Sequence, residues 1–183
     1  SLYIACAACP AVSRERGAES PWLRSLQETA WFASPVVSAG IASLTTSEIV
    51  MSRLLYGNLL SDDVILADRA YGNYLDLVLV KQQGADAVFR KNHLRKTDFR
   101  RGKKLGIGDH QVVWDKPQHC PKHMSNEEFE ALPSNFIVRE VCLRIQRRGF
   151  RAERIIVVTT LMDAERYTVQ KLTCLYGLRW SAA

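Results

Sequence analysis

The order of residue patterns along the chain predicts an α/β fold. Three observations carry it. Asp63-Val-Ile-Leu-Ala-Asp68 is a short apolar run bounded by acids, with the length and Val/Ile content of a strand buried in a parallel sheet. Stretches with apolar residues at helical spacing lie on both sides of it. Ile137 to Ile145 alternates over several residues, the mark of a half-buried strand.

The elements follow in order. Val36 to Leu44 is apolar and small, consistent with one or two buried strands. Thr46-Ser47-Glu48 looks like a helix start, and Ile49, Val50, Arg53, Leu54 and Leu55 continue it toward Gly57-Asn58. After the strand at 63–68, Tyr74, Leu75, Leu77, Val78 and Leu79 predict a helix ending near Gly84. Ala87-Val88-Phe89 predicts a second strand. Gly106-x-Gly108 reads as a hairpin turn before a strand at 111–115. It lacks the third glycine and following helix of a nucleotide loop. Gly149-Phe150 reads as another turn, 154–161 as a further buried strand, and Thr168 as the cap of a last helix containing Leu172, Leu175 and Tyr176. The flanks therefore predict a parallel sheet around an inserted β-rich segment.

Composition narrows the class. The 183 residues carry 25 Lys+Arg against 19 Asp+Glu, a formal charge of +6. At 47% hydrophobic the chain can bury an ordinary core, which excludes collagen-like and disordered classes. The longest uncharged stretch, Thr29 to Ser47, is too diluted by Pro, Gly, Ser and Thr for a membrane span. Five dispersed cysteines are not a disulfide framework and point to a reducing, cytoplasmic setting.

The charge is concentrated. Arg90, Lys91, Arg95, Lys96, Arg100, Arg101, Lys103 and Lys104 face only Asp98 in their segment, which is +7, so the rest of the chain is near −1. Such a stripe is the footprint expected of a polyanion-binding face. The alternative is a solvated basic loop. By contrast, the first 60 residues contain no Lys and no Asp.

Other groupings are candidates for chemistry. Asp68, at the carboxyl end of its strand, stands where open α/β sheets form sites and could hold Mg²⁺, or serve as a turn former. Tyr176, Arg179 and position 183 fall on one helix face and could address one phosphate; otherwise Tyr176 is a core residue. Cys6-x-x-Cys9 with His119, Cys120 and His123 forms a weak zinc pattern, a less favoured alternative.

Several motifs in order carry a resemblance. These are Asp68-Arg-Ala-Tyr71, Phe89-Arg90, Asp98-Phe-Arg-Arg-Gly102, Leu105-Gly-Ile-Gly-Asp109-His110, Val138-Arg-Glu-Val141, Gly149-Phe-Arg151, Val158-Thr-Thr-Leu161 and Leu175-Tyr-Gly-Leu-Arg179-Trp180. Over roughly residues 38–182 the chain resembles bacterial insertion-sequence transposases of the DDE type, the insertion-sequence-four family. The resemblance implies a ribonuclease-H-like domain, a mixed sheet with flanking helices and a β-rich insertion about 91–154. It implies Mg²⁺ or Mn²⁺ as cofactor, transposon-end DNA as partner and a possible homodimer. Asp68 aligns with the second metal-binding acid, and Tyr176 and Arg179 with the family's Tyr-x2-Arg-x3-Glu signature. The Glu falls at Ala183, and no Asp precedes Asp62 to serve as the first acid. The expectation is a catalytic-domain segment at 35–183, incomplete at both ends and inactive in strand cleavage, after an unassigned segment at 1–34. A sheet lacking the family's first strand is expected to expose a strand edge.

Overall fold

A computed structural model describes residues 2–5, 48–145 and 152–178. The Val36–Leu44 strand, the Gly149-Phe150 turn, Cys6, Cys9, Arg179 and position 183 lie outside the described residues. No helix among the described residues is long and apolar enough to cross a membrane.

The described elements run as follows. Strand β1 (Leu2–Ala5) comes first, then helix α1 (Glu48–Leu55) with a short 3-10 turn at Tyr56–Asn58. Strand β2 (Val64–Ala67), helix α2 (Tyr74–Gln82) and strand β3 (Asp86–Arg90) form a crossover unit. Strands β4 (Lys103–Gly106) and β5 (Asp109–Asp115), helix α3 (Asn126–Glu130) and strand β6 (Asn135–Ile145) follow. Strand β7 (Glu153–Thr159) and helix α4 (Val169–Leu178) complete the order. These bounds bear out most elements read from the sequence.

The fold is α/β, built on one mixed sheet in the order β1-β2-β3-β7-β6-β5-β4. Only β2 and β3 are parallel to each other. The parallel arrangement expected of the flanks is thus corrected: β7 pairs antiparallel to both β3 and β6. The short link after Ile145 cannot make a parallel crossover, which needs a dozen or more residues, so β7 returns against β6. The β-rich segment therefore does not stand apart but continues the same sheet through β7. On the other side β1 pairs antiparallel along β2, from Leu2 opposite Ala67 to Ala5 opposite Val64, so the outer edge of β2 is covered.

Strand alternation divides the core between two faces. Ile65, Ala67, Ala87, Phe89, Val138 and Val158 face one side with α2, Trp114 and Phe129. Val64, Leu66, Val88, Val141, Leu143 and Val157 face the other with Leu172, Leu175 and Tyr176 of α4. Helix α2 is buried nearly all round, and it starts where Asn73 accepts from the Asp76 N–H at 3.0 Å. Asp76 is itself fully buried. Arg53 of α1 clamps it at 2.6 and 3.2 Å, and Asn73 Nδ2 adds a bond at 2.5 Å. This charge pair fastens α1 to α2. Helix α3 opens on a capping box in which Ser125 and Glu128 exchange bonds at 3.1 and 2.9 Å.

Candidate functional site

Asp68 directly follows β2 and is half-buried. Its Oδ1 accepts from the Arg69 N–H at 2.7 Å, and its carbonyl accepts from the Tyr71 N–H at 3.0 Å. The turn it opens rests on the exit of β3. A Cβ on Gly72 would collide with the Arg90 carbonyl oxygen, and the Asn92 N–H reaches the Gly72 carbonyl at 3.4 Å. Only glycine permits that approach. The Asp68 turn and the start of the basic segment are thereby held together.

Tyr176 comes to the same place from the far end of the chain. Its hydroxyl donates to the Ala67 carbonyl at 3.4 Å, and the ring is fully buried. The structure thus joins Tyr176 to the strand that carries Asp68. Of the two alternatives the sequence left open for Tyr176, its burial behind β2 agrees with a core residue. It belongs to the buried cluster that also holds Val64, Leu66 and Leu172, away from solvent.

Asp68 by itself cannot make the two-ion site that the resemblance implies. Two neighbouring divalent cations need several carboxylates to offset their repulsion. Among the described residues no three His, Cys, Asp or Glu side chains form a group able to hold a metal ion. Glu153, at the start of β7, is already paired with Arg90 at 2.8 Å. Of the zinc pattern, only His119, Cys120 and His123 are described. Cys120 turns its thiol toward the carbonyls of Met124 at 3.3 Å and Pro121 at 3.5 Å.

The basic stripe is not one uniform face. Arg95, Lys96, Arg100, Arg101, Lys103 and Lys104 are exposed. Arg90 is half-buried against Glu153. Lys91 is buried, which corrects its place in the stripe: it donates to the Arg95 carbonyl and stands 3.9 Å from Glu140. Burial pushes the Lys91 ammonium pKa down, while Glu140 opposes that shift. Asp98 is held near 2 by hydrogen bonds from the Arg100 side chain and backbone.

What anchors the stripe is a buried carboxylate that sequence reasoning gave no role. Glu140 accepts from Thr97 at 2.7 Å and from Trp114 at 3.0 Å, and faces His110 Nε2 at 3.4 Å. His110 Nδ1 in turn meets the Arg101 carbonyl at 2.7 Å, and the Arg95 guanidinium lies 4.3 Å over the Trp114 ring. The segment from Lys91 to Arg101 is thus laced onto β5 and β6, leaving the heads of Arg100, Arg101, Lys103 and Lys104 in solvent. On the opposite face Arg139 makes a second, buried constellation. It grips Asp109 at 2.8 and 2.6 Å and donates to the carbonyls of Leu161 at 3.3 Å and Tyr167 at 2.8 Å. The signal was present in the sequence: adjacent Arg139-Glu140 and Asp109-His110 doublets inside apolar strands send opposite charges to opposite faces.

Comparison with known protein families, with curated proteins and with solved structures finds no match.

Proposed function

We propose that the chain is the core of a DDE-type transposase catalytic domain, ribonuclease-H-like in descent, whose remaining activity is binding to DNA phosphates. One observation carries the reading. Tyr176 and Asp68, two residues of the family pattern far apart in the chain, converge on the carboxyl end of β2 across a β-rich intervening segment. The mixed sheet and the exposed arginines and lysines of 95–104 support it.

Asp68 alone supplies too few ligands for paired Mg²⁺ or Mn²⁺, so no cleavage step is assigned to these residues. Transposon-end DNA is the partner this reading names. The test is a duplex carrying insertion-sequence ends, titrated at several salt concentrations and then incubated with Mn²⁺. Binding that weakens steeply with salt is expected, without strand nicking. Salt-independent binding, or none, overturns the DNA reading. A nicked product overturns the assignment of binding without cleavage.

A further inference from the structure

A second basic surface lies outside the stripe. Arg144 near the end of β6 and Arg154 near the start of β7 are direct cross-strand partners. Both are exposed, and neither forms an ion pair among the described residues. Like charges directly opposite each other weaken a sheet. The fold gains nothing from this pair, whereas an anionic ligand would turn the repulsion into a binding site.

Their setting supports the same ligand. Leu143 and Ile155 are buried on the α4 side, so alternation sends Arg144 and Arg154 to the α2 side of the sheet. That is the side of Glu140 and Trp114, over which the 91–101 segment is laced. The end of the sheet is also shared. Arg90, closing β3, reaches Glu153 beside Arg154 at 2.8 Å, and Asp68 follows the parallel neighbour β2. From 144 to 154 the sequence carries five arginines against Glu153 alone.

We propose that Arg144 and Arg154 form a second phosphate-binding ledge that takes the backbone of the same DNA duplex bound by the 95–104 residues. This rests on the DNA-binding reading above. Two guanidiniums side by side suit adjacent phosphate oxygens, which arginine addresses in bidentate fashion.

The test uses the whole chain and a labelled 20-base-pair duplex of arbitrary sequence. The Arg144→Gln/Arg154→Gln variant should lower the slope of log affinity against log salt by about 1.8, at about 0.9 for each phosphate no longer neutralised. Arg144→Lys/Arg154→Lys should keep most of the slope. Arg154→Glu should raise the melting temperature, by placing opposite charges across β6 and β7, while weakening DNA binding. A wild-type chain that binds DNA, with the slope unchanged in the Gln variant, overturns the ledge and leaves the DNA reading standing. Failure of the wild-type chain to bind overturns both. If Arg154→Glu alters sedimentation and not DNA affinity, the pair serves a second copy of the chain and the proposal falls.

Discussion

The hydroxyl of Tyr176 donates to the carbonyl of Ala67, the residue immediately before Asp68, across 109 positions of sequence. This hydrogen bond ties the last helix to the strand that ends at the candidate acid. Tyr176→Phe removes the neutral hydrogen bond to Ala67, whose loss should cost about 1 kcal/mol in chemical denaturation. Tyr176→Ala also empties a fully buried site in the cluster that holds Leu66 and Leu172, and should cost about 3–5 kcal/mol. Neither change removes a surface charge, so the salt slope of DNA binding should stay as in the parent at temperatures where the variant is folded.

Arg139 and Asp109 form a deeply buried ion pair, with side-chain exposures of 0% and 4%. They sit diagonally on β6 and β5, since Arg139 is opposite Gln111. Arg139 also reaches the backbone that leads into α4, at Leu161 and Tyr167. Arg139→Met should cost about 3–5 kcal/mol, because it strands the Asp109 carboxylate in the core. Pairing it with Asp109→Asn should recover part of that stability. A double-mutant cycle measures the coupling, and additive effects would show that the two side chains do not act as a pair.

The Asp98 turn should be sensitive only to strong acid. Its folded-state pKa, near 2, lies below the ordinary carboxylate value because Arg100 donates from both side chain and backbone. A depressed carboxylate stabilises the fold above its unfolded-state pKa and loses that contribution as pH falls toward 2. The carboxyl carbon of Asp98 should therefore titrate near pH 2 by NMR, and the turn should persist at pH 4. Arg100→Gln should move the titration back toward the ordinary range. Asp98 lies at the surface, so the effect on overall stability is small.

Much of the fold was legible because burial imposes a period. The apolar run at 64–67 and the alternation at 137–145 identify strands, and the apolar residues from Tyr74 with Gly84 beyond them mark α2, whose Asn73 cap the structure adds. The strand directions were not legible, because a buried run reads alike in parallel and antiparallel sheets, and β7 proved antiparallel. The site was read more thinly. Asp68 at a strand end and the exposed part of the stripe could be found from local pattern. Lys91 could not be separated from its neighbours, since its burial depends on Glu140, a residue placed beneath it only by the register of β6 with β7. Arg144 and Arg154 escaped for the same reason: they become a pair only once the strands are aligned.

Gly102 sets the height of the stripe above the sheet. It has φ +73°, and a Cβ there would collide with the Gln111 carbonyl oxygen and crowd Val112. Both the left-handed backbone and the close approach exclude a side chain. Two cations on each side of it, Arg100 and Arg101 before and Lys103 and Lys104 after, depend on that turn for their spacing. Gly102→Ala should therefore cost about 1–3 kcal/mol or more, beyond the usual helix or strand penalty, because the backbone must shift away from β5. It should also weaken DNA binding without changing the number of basic residues. Comparison with Gly57→Ala, a position with open space for a Cβ, isolates the effect. If the two variants have the same stability and the same DNA affinity, Gly102 does not hold the stripe in register, and the exposed cations bind as an unstructured cluster.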